Sequence, residues 1–233
     1  MKLQFLLVYL FLLLHPFLFS QHSELGLFGG TAYYVGELNP SSQVINKVRP
    51  AVGFFYRKNL NYRYSLRVGV NYAQLSATDQ FSATEFSKFR QLSFSSNLIE
   101  GYTTLEFNFL PYQINNHITS KYTPYVFIGV AVFSSSPEVE NTNGSAINTS
   151  ELIVTPSIPF GVGVKFNLVQ NLGLALEWNM HKTYTDEIDG LPQTYAGGYQ
   201  LSNSNNNDWY SFLGITLNYK FLTEKDHCRG PVN

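Results

Sequence analysis

Apolar and polar residues alternate in short segments along most of this 233-residue chain. In the clearest segment, Leu172, Leu174 and Leu176 occupy alternate positions, with Gly173 and Ala175 between them. Successive side chains of a β-strand point to opposite faces, so a period of two predicts a strand with one apolar face. The pattern predicts eight strands, at residues 24–34, 50–58, 64–73, 99–109, 122–133, 157–168, 172–182 and 209–221.

The composition favours a membrane barrel over a soluble sheet. Charged residues make up 13% of the chain and aromatic residues 16%, whereas soluble domains carry about 25% charged residues. Each segment is close to the 9–11 residues with which a tilted strand crosses a bilayer. Aromatic residues such as Tyr64, Trp178 and Phe221 stand near segment ends, where interfacial girdles form. A soluble β-sandwich is the competing interpretation, but Gly, Asn and charges on the polar face favour an eight-stranded antiparallel transmembrane β-barrel.

The N-terminus is typical of an export signal. Lys2 precedes an uncharged apolar run at residues 3–14, and the stretch ends at the small residue Ser20. An uncleaved membrane anchor is the alternative, although His15 and Pro16 interrupt the run. We therefore expect a signal peptide at residues 1–20, a barrel at 21–222 and a C-terminal tail at 223–233.

The predicted connections alternate between short and long, which indicates an orientation. The short ones are residues 59–63, 111–121 and 169–171, and the long ones are 35–49, 77–98, 134–156 and 183–208. Bacterial barrels have short periplasmic turns and longer outer loops. We therefore expect both termini in the periplasm and the protein in the bacterial outer membrane, in contact with its lipid.

Charged residues at inward positions predict a structural network inside the barrel. Eight strands leave an interior just wide enough for side chains, and unpaired charges in such a space are costly. We therefore expect paired charges to close the lumen; a narrow ion path is the alternative. The predicted network consists of four acids and four bases: Glu24, Glu100, Glu106, Glu177, Arg57, Arg67, Lys165 and Lys220.

Motifs of catalysis and of cofactor binding are not found in the sequence. It contains no G-x-S-x-G, no H-E-x-x-H and no phosphate-cradling glycine loop. Glu177 and His181 share one predicted face, which leaves a lipid-acting enzyme as an alternative, but no serine is evident beside His181. The adjacent Asp226, His227 and Cys228 are a poor metal site because neighbouring residues rarely ligate one ion. The net charge of −1 argues against nucleic-acid binding. We expect a protein that is not an enzyme and has no cofactor or metal.

Several blocks of sequence resemble one family of bacterial barrels. Residues 29–40 read Gly-Gly-Thr-Ala-Tyr-Tyr-Val-Gly-Glu-Leu-Asn-Pro, and further matching blocks lie at 48–51, 124–127, 157–163 and 207–210. Together they resemble the PorG family, which comprises outer-membrane barrel components of the type IX secretion system of Bacteroidota. The resemblance implies a non-enzymatic role in protein secretion, and in gliding where it occurs, beside a periplasmic ring of a lipoprotein and its partner protein. A stand-alone small barrel with a structural or adhesion role is the alternative.

The C-terminal tail carries a hypothetical partner-binding site. Cys228 is the single cysteine of the chain, which excludes an intrachain disulfide. Basic neighbours raise the reactivity of a thiol, so a disulfide to a periplasmic ring protein is one hypothesis. An unpaired thiol and a disulfide-linked homodimer are the others. The predicted partner-binding residues are Lys225, His227, Cys228 and Arg229.

Overall fold

Over the residues that it describes, the computed structural model has nine antiparallel strands, eight of which form a β-barrel. They are β1 (Ser23–Val35), β2 (Arg49–Asn59), β3 (Tyr64–Thr78), β4 (Leu92–Asn108), β5 (Tyr122–Asn141), β6 (Ala146–Thr149), β7 (Ile153–Val169), β8 (Leu172–Thr183) and β9 (Trp209–Leu222). The structure describes residues 23–35, 48–78, 92–114, 119–141, 146–149, 152–169, 171–185, 188 and 208–222. Over these ranges, no helix is long and apolar enough to cross a membrane.

Eight of the strands close the barrel. Neighbouring strands pair in the order β4-β3-β2-β1-β9-β8-β7-β5, and β4 pairs with β5 to complete the ring. The ninth strand, the four-residue β6, pairs only with the end of β5. The predicted closed eight-stranded antiparallel barrel is therefore confirmed, and each predicted strand is present. The short β6 is an addition that the alternation does not indicate.

Inward and outward side chains of β8 differ sharply in polarity. On β8, the buried Ala175, Glu177 and Asn179 alternate with the exposed Leu176 and Trp178. The outward residues form the apolar band that a membrane barrel presents to lipid. Exposed aromatic residues lie toward the two edges of this band, although β3 continues beyond Tyr72 to Thr78: Tyr56, Tyr64, Tyr72, Phe109, Tyr122, Trp178, Tyr219 and Phe221.

The two ends of the barrel differ in their connections. The connections of residues 60–63, 109–121 and 170–171 lie at one end, where β1 begins and β9 ends. The strand ends that the longer connections join lie at the other end. The start of β1 and the end of β9 therefore lie at the same end of the barrel, as expected from the alternating loop lengths. The predicted signal peptide with its cleavage after Ser20, and the tail residues Lys225, His227, Cys228 and Arg229, lie outside the described residues.

Four strands continue past the apolar band at the long-connection end. Strands β3, β4, β5 and β7 are longer there than the alternation predicts. The outward row of β4 changes from the apolar Ile99 to polar side chains, and that of β5 changes likewise after Val132. These polar outward residues are Ser93, Ser95, Asn97, Ser134 and Ser136. Part of the barrel wall therefore rises beyond the band that faces lipid.

Candidate functional site in the barrel lumen

Glu106 is the centre of an ion-pair network in the half of the lumen nearest the short connections. Its carboxylate lies 2.9 Å from Arg57 Nε, 3.1 Å from Arg67 Nε and 2.5 Å from Lys165 Nζ. Strands β2, β3, β4 and β7 each supply one of these side chains. The four residues are at inward positions of their strands and lie at the same level of the lumen. All four side chains are at most 2% exposed. One carboxylate thus neutralises cations from three other strands.

Two further carboxylates complete the charge balance. Arg57 Nη1 lies 2.9 Å from Glu24 Oε2, and Arg67 Nη1 lies 2.5 Å from Glu177 Oε1. The Tyr125 hydroxyl also donates a hydrogen bond to Glu177. Counted with Glu106, this network pairs three carboxylates with three cations. Such pairing is what allows ionised groups to remain in a space with little water.

Aromatic rings surround the cations of this network. The guanidinium carbon of Arg67 lies 5.1 Å from the ring centroids of both Phe55 and Phe127. Lys165 Nζ lies 4.4 Å from the ring centroid of Tyr125. Cations are attracted to ring faces at such distances. The rings therefore fill the space between the ion pairs and add to their stabilisation.

Glu100 belongs to a separate cluster with His181. Its Oε2 atom lies 2.8 Å from His181 Nδ1 and accepts a hydrogen bond from the Tyr210 hydroxyl. The rings of His181 and Tyr210 stack at 4.4 Å, and Asn71 donates to the other carboxylate oxygen at 3.0 Å. Glu100 therefore pairs with a histidine, although the predicted network placed it among Arg and Lys. Within the described residues, no group of three or more His, Cys, Asp or Glu side chains is arranged to hold a metal ion.

The connection between β4 and β5 closes the lumen at the short-connection end. Ile114 and Tyr112 of this connection are buried, and burial raises the pKa of the Tyr112 hydroxyl above its ordinary value. Lys220 Nζ donates to the Ile114 carbonyl at 2.8 Å, and Asn167 Nδ2 donates to the Gln113 carbonyl at 3.0 Å. Lys220, a predicted member of the charge network, therefore binds the segment that closes this end of the lumen.

Apolar and aromatic side chains fill the other half of the lumen. Phe28 and Phe212 pack edge to face at 6.1 Å, and Phe133 packs against Tyr210 at 5.3 Å. Near the rim, Tyr34 donates a hydrogen bond to Asp208. The buried cluster comprises Phe28, Ala32, Tyr34, Ala51, Ala73, Leu75, Phe94, Leu98, Phe133, Ile188, Tyr210 and Phe212. The described residues thus fill the lumen with two layers, an ionic layer around Glu106 and an aromatic layer that includes the Glu100–His181 pair.

The structure buries every predicted lumen residue but divides them among three settings. Glu24, Arg57, Arg67, Glu106, Lys165 and Glu177 form the ionic network; Glu100 pairs with His181; Lys220 binds the closing segment. Sequence reasoning missed the aromatic residues of the lumen. A signal for them exists in β5, where the inward Tyr125 and Phe127 alternate with the outward aliphatic Val126 and Ile128.

Comparisons with known proteins find one family model and several solved structures to which this chain is similar. A family model described as a domain of unknown function, DUF6089, matches residues 3–230. Neisserial surface protein A is similar, with 13% identity over 85% of this chain and 97% of that chain and a TM-score of 0.48. The attachment invasion locus protein Ail of Yersinia pestis has 11% identity over 86% and 99%, with a TM-score of 0.45. The chain matches no curated relative.

Proposed function

We propose that this chain, which belongs to the DUF6089 family, is a non-enzymatic outer-membrane component of a protein secretion machine of type IX kind. In this role it docks periplasmic ring subunits to the outer membrane. The observation that carries the proposal is the filled lumen, with buried ion pairs in one half and packed aromatic side chains in the other. A barrel filled in this way is unsuited to conducting a polypeptide, so its working surfaces are its rims.

The charge of the exposed residues at the short-connection rim supports docking from the periplasm. Arg63 and Lys121 are exposed there, whereas the nearby acidic residues Glu24 and Glu106 are buried. Arg63 is held in place by donating to the Phe109 carbonyl at 2.7 Å. The exposed charge described at this rim is therefore basic and complements an acidic partner surface.

The blocks that resemble the PorG family support the assignment to secretion. Residues 29–35 lie in β1, 124–127 in β5 and 157–163 in β7. The block at 48–51 opens β2, and of the block at 207–210 the described residues 208–210 lead into β9. The remaining residues of the first block, 36–40, lie outside the described part of the chain.

Gene deletion combined with a rim variant tests the secretion role. We expect deletion to stop the export of a whole class of cargo proteins, and Arg63→Glu with Lys121→Glu to weaken both export and crosslinking to a ring protein. The matched control is Glu138→Gln, an exposed residue on β5 at the opposite end. Normal export in the deletion strain would contradict the proposal. Altered lipid A in that strain would indicate a lipid-acting enzyme, and lost adhesion would indicate a stand-alone barrel.

The tail cysteine offers a second test of docking. A disulfide from Cys228 to a ring protein is part of the proposed arrangement, because an exported thiol enters an oxidising compartment. In membranes prepared with a thiol-blocking reagent, we expect a reductant-sensitive heavy band that Cys228→Ser abolishes. Mass spectrometry of the band distinguishes a ring protein from a second copy of this chain. Only monomer in the unreduced sample would remove the tether from the proposal.

The position of His181 supports a role without catalysis. Its side chain is buried between Tyr210 and Phe212, whose ring centroids lie 4.4 and 5.1 Å away. The Ser157 hydroxyl is engaged with Tyr210 at 3.1 Å. We expect His181→Ala to leave the lipid composition of the outer membrane unchanged, as measured by mass spectrometry of extracted lipid A.

A further inference from the structure

The outward row of β8 changes from apolar to charged at Lys182. Below it, Leu172, Leu174, Leu176, Trp178 and Met180 are the outward residues of the strand. Ten residues of a strand tilted by about 45° rise roughly 24 Å along the membrane normal, close to the ~25 Å height of the apolar band of outer-membrane barrels. The exposed Lys182 therefore lies at the level of the lipid headgroups when Leu172 lies at the opposite interface.

Directly below this level, Trp178 lies across the neighbouring strands. Its indole Nε1 donates both to the Tyr33 hydroxyl of β1 at 2.8 Å and to Ser211 Oγ of β9 at 3.0 Å. Tyr33 and Ser211 are at outward positions but are only 5% and 0% exposed, while Trp178 itself is 45% exposed. The indole thus forms a flat aromatic surface that spans three strands.

A second aromatic pair flanks Lys182. Lys182 Nζ lies 5.9 Å from the ring centroid of Trp209, its cross-strand neighbour on β9. Trp209 packs edge to face against Phe160 of β7 at 6.0 Å. The outer-rim patch, defined as Tyr33, Phe160, Trp178, Lys182 and Trp209, therefore combines the exposed cation of Lys182 with the exposed ring of Trp178 and the half-buried rings of Phe160 and Trp209.

We propose that the outer-rim patch binds the headgroup of a phosphorylated glycolipid of the outer leaflet. The ammonium of Lys182 matches a phosphate, and the indole faces match the apolar faces of sugar rings and the first methylene groups of the acyl chains. The patch continues without interruption into the lipid-facing row of β8, so the acyl chains lie along Leu176 and Leu174. The inference rests on the proposed outer-membrane placement and is independent of the secretion role.

The two tryptophans of the chain, Trp178 and Trp209, both lie in this patch, so intrinsic fluorescence reports on its occupation directly. The full-length protein in detergent micelles is titrated with diphosphoryl lipid A. We expect a saturable change in tryptophan emission, with an apparent affinity roughly tenfold weaker for Lys182→Ala, because one charge-assisted contact is lost. Lys182→Arg should bind within about twofold of the unaltered protein, since the charge is kept.

Three comparisons decide the proposal. Lys121→Ala removes an exposed lysine at the opposite end and should leave lipid A binding unchanged. Dephosphorylated lipid A and phosphatidylglycerol should each bind at least tenfold more weakly than diphosphoryl lipid A. Equal responses from Lys182→Ala and the unaltered protein, or equal affinities for phosphatidylglycerol and lipid A, would overturn it. Because the titration uses purified protein, its failure leaves the secretion proposal untouched, and a secretion defect in the deletion strain does not depend on it.

Discussion

Loss of a carboxylate that three cations share has a different consequence from loss of one partner of an ordinary ion pair. Arg67 retains Glu177 when Glu106 is neutralised, and Arg57 retains Glu24, but the 2.5 Å contact of Lys165 with Glu106 is its only ion pair among the described residues. Loss of Glu106 therefore leaves Lys165 buried without a counter-charge. An uncompensated charge in the interior is strongly destabilising.

At this residue we expect Glu106→Gln to lower the free energy of unfolding by about 3–5 kcal/mol. Glu177→Ala should cost less, because Arg67 still lies 3.1 Å from Glu106 Oε1. Urea unfolding in lipid vesicles, followed by tryptophan fluorescence, measures both. Glu138→Gln, on the exposed surface, should stay within about 0.5 kcal/mol of the unaltered protein. A Glu106→Gln variant as stable as this control would show that the network contributes nothing measurable.

The charged residues of the lumen were predictable from the sequence, but their partners were not. The alternation of inward and outward positions along a strand is enough to place Glu100 and Lys220 inside the barrel. Their partners, His181 and the Ile114 carbonyl, come from β8 and from the connection after β4. Such contacts depend on the stagger between strands and on how a connection folds back over the lumen. The alternation of apolar and polar residues determines neither of them.

At the level of paired strands, glycine opposite an aromatic ring shapes the lumen. Gly163 of β7 pairs with Tyr125 of β5. A Cβ atom at Gly163 would lie 2.5 Å from the Leu176 carbonyl oxygen and 2.6 Å from Tyr125 Cε1. The absent side chain is therefore what lets the Tyr125 ring lie against the wall and reach Glu177.

We expect Gly163→Ala to destabilise the barrel by about 1–3 kcal/mol, because the added methyl group overpacks the interior. Gly101 is the matched control, since a Cβ there meets nothing within 4 Å. Gly101→Ala should be neutral or slightly stabilising through reduced freedom of the unfolded chain. Heat-dependent gel mobility of the two variants measures the difference. Similar shifts for both would mean that the Tyr125 contact places no constraint on position 163.

In the turn between β7 and β8, Asn171 is the described residue that the backbone conformation constrains. Asn171 has φ of 65°, and its carbonyl accepts a hydrogen bond from the Lys220 N–H at 2.8 Å. Asn tolerates this left-handed conformation, whereas a β-branched residue does not. We expect Asn171→Gly to retain full stability and Asn171→Val to lose about 1–2 kcal/mol. Urea midpoints of the folded barrels provide the comparison, and equal midpoints would contradict it.

The extent of the strands was the least predictable part of the elements. The alternation after Phe133 gives way to Ser134, Ser135, Ser136 and Pro137, which reads as a loop. In the structure β5 nevertheless continues to Asn141, because β4 pairs with it along this whole stretch. Pairing with a neighbour overrides local propensity here. The same holds for β4, which begins at Leu92, ahead of the predicted residue 99.

On the scale of the whole molecule, the two layers of the lumen stabilise it in different ways. The ionic layer around Glu106 joins β1, β2, β3, β4, β7 and β8 through charges. The aromatic layer joins β1, β5 and β9 through contacts such as Phe28 with Phe212 and Phe133 with Tyr210. Each layer crosses the barrel, so each alone obstructs the axis.

This arrangement predicts how the protein behaves as a channel. In planar bilayers we expect no stable single-channel currents from the unaltered protein. Glu106→Ala opens only the ionic layer, and Phe212→Ala with Phe28→Ala opens only the aromatic layer, so neither variant should conduct. Combining the three substitutions removes obstruction from both layers but leaves Tyr112 and Ile114 across the short-connection end. Measurable currents should therefore need Tyr112→Ala and Ile114→Ala in addition, provided that gel mobility shows a folded barrel. Stable currents from the unaltered protein, or from Glu106→Ala alone, would show that a continuous path already passes the aromatic layer.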